Sequence, residues 1–189
     1  MPEAMFAHAV ILVEGITDKG ALEGCGQRDD KLNRSGVMVV SVKGKQNLHL
    51  PYAILTELGI PTFLVFDGDA SVQGQQPDAK DVDGSNLKNK IKQAADRNRS
   101  LLALLGEEPV DWPETKVTAA YAVFQDTLEV FLTERWQEWV NTKKQLVENG
   151  ECTDGKSEHT YRQAALKAAD PPDQLLKIIA QARLMAKQN

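Results

Sequence analysis

The sequence has 189 residues, enough for one sizeable domain that buries its own hydrophobic core, and hydrophobic residues make up 42% of it. No apolar run reaches ~18 residues, which excludes a membrane-spanning helix and a membrane partner. The two cysteines, Cys25 and Cys152, are isolated, which argues against a disulfide framework and favours a cytoplasmic location. The net charge of -5 argues against nucleic-acid binding by charge alone.

The first half of the chain is predicted to alternate between strands and helices. Its strands are almost wholly apolar and lack a period of two, which is typical of parallel strands that are buried on both faces. The predicted strands cover residues 7–13, 37–42 and 62–66. The helices predicted between them cover residues 19–25 and 46–58.

The second half is predicted to be mostly helical. After a loop at 70–85, an amphipathic helix is predicted at 86–105 and a fourth strand at 117–124. Further helices are predicted at 126–147, 157–169 and 172–186. The pattern indicates an α/β fold with a Rossmann-like parallel sheet flanked by helices in residues 1–125, followed by a helical carboxyl-terminal appendage in residues 126–189.

Two aspartates follow the third strand, in the sequence Asp67-Gly68-Asp69. The carboxyl end of a buried parallel strand is where open α/β sheets place their ligands. Two carboxylates held close together repel each other unless a cation lies between them, which favours a hard divalent ion such as Mg²⁺ or Mn²⁺. Alternatively, Asp67 caps a turn and Asp69 is solvated, and this stretch alone leaves both interpretations open.

Further charged residues follow the first two strands. Glu14 and Asp18 come after the first strand, and Lys43-Gly44-Lys45 comes after the second. Because parallel strands end at the same edge of a sheet, Glu14, Asp18, Asp67 and Asp69 are expected to meet there. Asp18 is also a good helix N-cap, so capping and metal binding are both open for it.

This ordered set resembles the Toprim domain, which topoisomerases, bacterial primases, recombination mediators and several nucleases share. The Toprim signature is a glutamate after the first strand and an Asp-x-Asp after a later one, as in Glu14 and Asp67-Gly68-Asp69. The sequence is most similar to the carboxyl-terminal half of the OLD (overcoming lysogenization defect) nucleases. That similarity is carried by residues 2–7, 12–18 and 58–62, and beyond residue 70 by residues 127–129 and a lysine near the final helices.

The resemblance implies DNA phosphodiester hydrolysis by two Mg²⁺ or Mn²⁺ ions. It implies metal ligation by five carboxylates, namely Glu14, Asp18, Asp67, Asp69 and Glu129. Asp67 is the expected bridge between the two ions, and Glu14, Asp67 and Lys156 are the expected catalytic residues. Lys156 would neutralise the charge that develops on the transferred phosphate.

Some of these residues have a simpler explanation. Residues 126–129 fit a capping box in which Glu129 binds the backbone amide of the cap, so that role stays open beside metal binding. Lys156 taken alone is expected to be solvated. Four other cations are candidates for nucleic-acid binding or for a solvated surface, namely Lys45, Lys88, Lys92 and Arg99.

Partners follow from the same resemblance. OLD nucleases carry an ATPase domain before the Toprim domain, so this chain is expected to be the carboxyl-terminal region of a longer protein or a stand-alone Toprim protein. The sequence has no G-x-x-x-x-G-K-[ST] loop, so no ATP site is expected within it. The helix that holds Trp136 and Trp139 is a candidate homodimer contact. The rival function is a non-catalytic Toprim module that binds DNA or acts as a scaffold, although a scaffold has no need of four mutually repelling carboxylates.

Overall fold

A computed structural model describes residues 2–28, 32–77 and 84–188. Within them lies one five-stranded sheet of order β2-β1-β3-β5-β4. The strands are β1 (Ala9–Val13), β2 (Val37–Ser41), β3 (Thr62–Asp67), β4 (Lys116–Val117) and β5 (Tyr121–Phe124). All neighbouring pairs are parallel except β4 and β5, which are antiparallel.

Seven α-helices occur in the described residues. They are α1 (Ile16–Gln27), α2 (His49–Glu57), α3 (Ser85–Leu104), α4 (Leu128–Arg135), α5 (Gln137–Glu148), α6 (Glu158–Lys167) and α7 (Asp173–Gln188). Short 3-10 helices occur at Pro2–Phe6, Asn33–Ser35, Lys45–Asn47 and Ala70–Gly74. None of the helices in the described part of the chain is long and apolar enough to cross a membrane.

The sheet has a hydrophobic core on each face. Alternate residues of β1 point to opposite sides: Ile11 packs with helices α1 and α4–α7, and Leu12 packs with α2 and α3. All five residues of β1 are fully buried, as expected for a parallel strand covered on both faces. The predicted α/β fold, with a parallel sheet between helical layers, is therefore confirmed.

Two elements in the second half of the chain, the fourth predicted strand and the helix after it, differ from their predictions. The predicted strand 117–124 is a short antiparallel hairpin, because the hydroxyl of Thr118 accepts hydrogen bonds from the backbone N–H groups of Ala120 and Tyr121 and closes a turn. The predicted helix 126–147 is two helices that meet at Trp136, whose φ of -134° and ψ of 73° are not helical. The indole N–H of Trp136 donates to the carbonyl oxygen of Ala169 at 2.5 Å, so the burial of this ring accounts for the break.

The homodimer contact of the helix that holds Trp136 and Trp139 stays a prediction, and the two rings themselves lie in the core. Trp136 and Trp139 are each only 2% exposed and pack in the same core as the sheet. A contact of this helix with a second copy would therefore use its other, exposed residues. Of the predicted loop at 70–85, residues 70–74 form a 3-10 helix and residues 78–83 lie outside the described residues.

Two glycines let α1 and α6 pack with their backbones almost in contact. A β-carbon on Gly20 would lie 2.4 Å from the carbonyl oxygen of Glu158, and one on Gly24 would lie 2.3 Å from that of Arg162. Helix α6 therefore lies against the helix that follows β1. Residues 126–188 thus share one hydrophobic core with β1 and β3.

We expect Gly24→Ala to lower the melting temperature by several degrees. The added methyl group would force the backbones of α1 and α6 apart at a cost of about 1–3 kcal/mol, of which the higher helix propensity of alanine offsets up to about 1 kcal/mol. Each kcal/mol corresponds to about 2–4 °C for a chain of this size. Differential scanning calorimetry measures the change. Gly74→Ala is the control, because a β-carbon there meets nothing within 4 Å; equal melting temperatures for the two variants would contradict the prediction.

Candidate metal centre

A pocket of about 480 Å³ opens at the carboxyl ends of the parallel strands. It is lined by residues that follow β1, β2 and β5, by the last residue of β3, and by one residue just before α6. The lining residues that carry side-chain charge or a hydroxyl are Glu14, Thr17, Asp18, Lys43, Asp67, Thr127, Glu129 and Lys156. The structure therefore brings together four of the five predicted metal ligands and the predicted catalytic lysine.

Glu14 and Asp67 are joined through the backbone. Glu14 follows β1, and its Oε1 accepts a hydrogen bond of 2.8 Å from the backbone N–H of Asp67 at the end of β3. Burial raises the pKa of Glu14 to about 7, although the charge of Lys45 and this N–H act in the opposite direction. One carboxylate oxygen of Glu14 is thus fixed, and the other is left for a ligand.

Asp67 is held at the amino terminus of α4. Its Oδ1 accepts a hydrogen bond of 2.9 Å from the backbone N–H of Leu128, the first residue of that helix. Burial, followed by the negative charges of Glu14 and Asp18, raises the pKa of Asp67 well above its ordinary value. Asp67, which the sequence predicted as the bridge, is therefore a carboxylate whose charged form both Glu14 and Asp18 oppose.

Asp18 is the third residue of α1, and its side chain accepts a hydrogen bond from the residue that precedes the helix. Its Oδ2 accepts a hydrogen bond of 2.8 Å from the backbone N–H of Gly15, which is the N-cap residue. The prediction that Asp18 itself is the N-cap is thus wrong, because the helix begins at Ile16. The side chain is 9% exposed, and burial together with the charge of Glu129 raises the pKa of Asp18.

Glu129 has two side-chain partners, both from the segment that follows α5. Its Oε1 accepts a hydrogen bond from the hydroxyl of Tyr161, and its Oε2 lies 2.7 Å from Nζ of Lys156. Burial acts to raise the pKa of Glu129, but the hydrogen bonds from Lys156 and Tyr161 outweigh it and lower that pKa. The predicted capping box is wrong, because Thr127 is the N-cap of α4 and accepts from the backbone N–H of Val130 at 3.1 Å.

Asp69, the fifth predicted ligand, does not line the pocket. Its carboxylate pairs with Nζ of Lys45, which is 4% exposed and also donates to Oδ1 of Asn98 at 3.0 Å. The side-chain amide of Asn98 in turn donates to the carbonyl oxygens of Gly68 and Asp111. The predicted contact between Lys45 and DNA conflicts with this burial, since the ammonium faces Asp69 and Asn98 and not the surface.

The other predicted nucleic-acid contacts lie on α3 and outside the pocket. Lys88 and Lys92 are exposed. Arg99 pairs with Asp96 and Asp111, so two carboxylates already neutralise its charge. Of the three predicted nucleic-acid contacts on that helix, Lys88 and Lys92 are therefore better candidates than Arg99 for binding a DNA backbone phosphate.

The donor set has the chemistry of a hard divalent cation, because it consists of carboxylate oxygens alone. The raised pKa values of Glu14, Asp18 and Asp67 show how strongly burial and mutual repulsion oppose their charged forms, and a cation would relieve both. In the described ranges, however, no three His, Cys, Asp or Glu side chains already stand in the arrangement of one bound ion. The residues therefore fit such an ion in type and location, and their carboxylates have to turn toward it.

Three further residues at the pocket lie outside the predicted set of site residues, although Lys43 belongs to the charged turn after the second predicted strand. Lys43 lines it from the turn after β2, Thr127 lines it as the cap of α4, and Tyr161 reaches Glu129 from α6. The position of Lys43 directly after a strand is the same signal that identified Glu14 and Asp67. Tyr161 carries no such signal, because its contact depends on how α6 packs.

We expect Glu14→Gln to raise the melting temperature of the metal-free protein at pH 8. Between pH 4.5 and about 7 the folded chain retains a proton on Glu14 that the unfolded chain has lost, so stability falls as the pH rises through this window. Glutamine keeps an oxygen for the N–H of Asp67 and carries no charge. At about 1.4 kcal/mol per pKa unit the gain is at most about 3 kcal/mol.

Thermal unfolding with a chelator present, at pH 5 and pH 8, measures this effect. The difference between parent and variant should be present at pH 8 and shrink toward pH 5. Glu148→Gln is the matched control, since the side chain of Glu148 is 61% exposed and lies outside the pocket. If the melting temperature of Glu14→Gln equals that of the parent at both pH values, the pKa of Glu14 is not raised and the prediction is wrong.

Comparison with known proteins finds a family model that matches the first part of the chain and solved structures that share its fold. Residues 5–69 match the family model described as the Toprim domain of overcoming lysogenization defect protein-like proteins. No curated protein matches the sequence. The segment that matches contains Glu14, Asp18, Asp67 and Asp69.

Solved structures with this fold cover nearly the whole chain. The carboxyl-terminal region of the OLD protein of Burkholderia pseudomallei is 20% identical, with a TM-score of 0.60 over 96% of this chain and 99% of that one. The corresponding region from Xanthomonas campestris pv. campestris, in its platinum-phased structure, is 21% identical, with a TM-score of 0.52 over 98% of this chain and 97% of that one. Its iodine-phased structure is 19% identical, with a TM-score of 0.54 over 97% of each chain. Residues 5–69 therefore match the Toprim domain of the OLD-like proteins, and the chain shares the fold of the carboxyl-terminal regions of these two OLD proteins.

Proposed function

We propose that this protein is a divalent-metal-dependent nuclease that hydrolyses phosphodiester bonds of DNA. The observation that carries the proposal is the convergence of Glu14, Asp18, Asp67 and Glu129 on one pocket that Lys156 also lines. These residues come from both halves of the sequence, and their convergence depends on the whole fold.

The charge of the pocket favours catalysis over a purely structural role. Burial raises the pKa of both Glu14 and Asp67, so their charged forms destabilise the metal-free fold near neutral pH. A module that only bound DNA would gain nothing from such a cluster, because carboxylates repel phosphates. A pair of cations makes the same cluster favourable and turns the pocket into a site for an anionic substrate.

Glu14, Asp18, Asp67 and Glu129 would hold the ions, which we propose to be two Mg²⁺ or Mn²⁺. Bound ions of this kind generate hydroxide from water and stabilise the charge on a leaving oxygen. Backbone N–H groups hold one oxygen of two of these carboxylates: the N–H of Asp67 donates to Glu14, and the N–H of Leu128 donates to Asp67. Asp69 would join this set only by leaving Lys45.

Lys156 is the residue best placed to bind the cleaved phosphate. Its side chain is 74% exposed, it lies in the segment before α6, and its ammonium touches only the rim of the acidic cluster through Glu129. When Lys156 turns to a phosphate oxygen, Tyr161 still donates to the other oxygen of Glu129 and holds that carboxylate in place. The ammonium then offsets the negative charge that develops on the phosphate.

We further propose that this segment is the nuclease part of an ATPase–nuclease protein. The solved structures that share its fold are described as carboxyl-terminal regions of OLD proteins. An amino-terminal ATPase domain in the same polypeptide would be the partner. DNA is the proposed substrate of the assembled protein.

We expect the protein to nick or cut supercoiled plasmid DNA in the presence of Mg²⁺ or Mn²⁺, and Asp67→Asn to reduce the rate at least about 100-fold. The side-chain oxygen of asparagine can still accept a hydrogen bond from the backbone N–H of Leu128, so the fold is retained. The variant loses only the charge of the carboxylate ligand. Gel analysis of plasmid forms over time gives the rate, and a chelator should abolish it. Glu148→Gln should cut at the parental rate, because Glu148 lies outside the pocket. DNA binding without cleavage in either metal would favour the scaffold function instead.

We expect Lys156→Ala to lower the cleavage rate about 100- to 1,000-fold while the protein still binds Mn²⁺, because the lysine acts on the phosphate and not on the ions. Titration followed by the electron paramagnetic resonance signal of free Mn²⁺ measures binding independently of cleavage. Lys167→Ala is the matched control, since Lys167 also forms an ion pair with a glutamate in the same part of the chain but lies outside the pocket. Cleavage at the parental rate by Lys156→Ala would exclude this role.

A further inference from the structure

Each of the four carboxylates that line the pocket has one oxygen bound by a hydrogen-bond donor of the chain. Backbone N–H groups donate to one oxygen of Glu14, of Asp18 and of Asp67. The donor to Glu129 is different, because it is a side-chain hydroxyl, that of Tyr161. This arrangement favours ligation of an ion through one oxygen of each carboxylate.

The hydroxyl of Tyr161 has a fixed position. The side chain is 1% exposed, and its ring meets the ring of Trp139 at a steep angle, with the two centroids 5.1 Å apart. The ammonium of Lys143 lies 4.6 Å from the centroid of the Tyr161 ring. Helix α6, which carries Tyr161, is itself held by its close contact with α1. The hydroxyl therefore cannot follow the carboxylate of Glu129 if that carboxylate turns.

This fixed donor affects how Glu129 can bind an ion. An ion bound through both oxygens would draw Oε1 of Glu129 away from the hydroxyl, and a buried hydroxyl without an acceptor is unfavourable. Ca²⁺ takes about six to eight oxygen ligands and often both oxygens of a carboxylate, whereas Mg²⁺ requires octahedral geometry and keeps several waters. Mn²⁺ also prefers octahedral oxygen sites. The hydroxyl therefore disfavours the larger ion.

We propose that Tyr161 determines the ion specificity of the metal centre: it holds Glu129 as a one-oxygen ligand and so favours Mg²⁺ or Mn²⁺ over Ca²⁺. The proposal rests on the proposed function, because it takes Glu129 as a metal ligand. Lys156 leaves the second oxygen of Glu129 to the ion when it turns to a phosphate. Tyr161 acts on the ion only through Glu129, which makes it a positioning residue.

Titration of the metal-free protein with Mn²⁺, followed by the electron paramagnetic resonance signal of free Mn²⁺, tests the proposal without DNA. Ca²⁺ added to the Mn²⁺-loaded protein releases Mn²⁺ and gives the dissociation constant of Ca²⁺. We expect Tyr161→Phe, which removes only the hydroxyl, to bind Mn²⁺ about tenfold more weakly. It should bind Ca²⁺ no more weakly than the parent does. The ratio of the Ca²⁺ to the Mn²⁺ dissociation constant should therefore fall about tenfold.

Tyr52→Phe is the matched control, since Tyr52 lies outside the pocket and the loss of its hydroxyl should leave both constants unchanged. In a Glu129→Gln background, Tyr161→Phe should not change the ratio further, because its effect passes through that carboxylate. A parental ratio in Tyr161→Phe would overturn the proposal, as would a further change in the Glu129→Gln background. A parent that prefers Mn²⁺ in this way but never cleaves plasmid DNA refutes the nuclease function and leaves the role of Tyr161 supported.

Discussion

The hydrogen bond from the backbone N–H of Asp67 to Glu14 is the interaction on which the candidate site depends. It joins the ends of two neighbouring parallel strands and brings two carboxylates together where burial opposes their charge. The backbone N–H of Leu128 adds α4 to the same arrangement by binding Asp67. The fold thus gathers the acidic side chains at one pocket before any cation arrives, at the expense of stability in its absence.

The helical carboxyl-terminal segment is part of this arrangement. Glu129 enters the pocket from the first turn of α4, and its two partners, Tyr161 and Lys156, come from the region of α6. Helix α6 reaches that position because Gly20 and Gly24 allow it to approach the backbone of α1 closely. The same helix α1 carries Asp18, so one helix–helix contact relates both sides of the pocket.

The sequence was sufficient to predict the parts of the fold that depend on local pattern. Uninterrupted apolar strands predicted the parallel sheet, and acidic residues directly after β1 and β3 predicted a cluster at one edge. The break at Trp136, the true cap of α4 at Thr127 and the contact between Tyr161 and Glu129 could not be predicted, because each depends on tertiary packing. The burial of Lys45 beside an exposed Lys43 has the same cause, since residues two apart in a turn can face the core or the pocket.

The Asp-Gly-Asp turn shows why its two acids differ. Gly68 is required there because a β-carbon would lie 2.5 Å from the carbonyl oxygen of Gln125, so the turn runs tightly along the extension of β5. In that position Asp67 faces the pocket, while Asp69, at a φ of +54°, faces the buried ammonium of Lys45. The ammonium of Lys45 is buried, so removing Asp69 would take away its only carboxylate partner in the described part of the chain. Asp69 and Lys45 therefore anchor the turn, and through it they fix the direction in which Asp67 points.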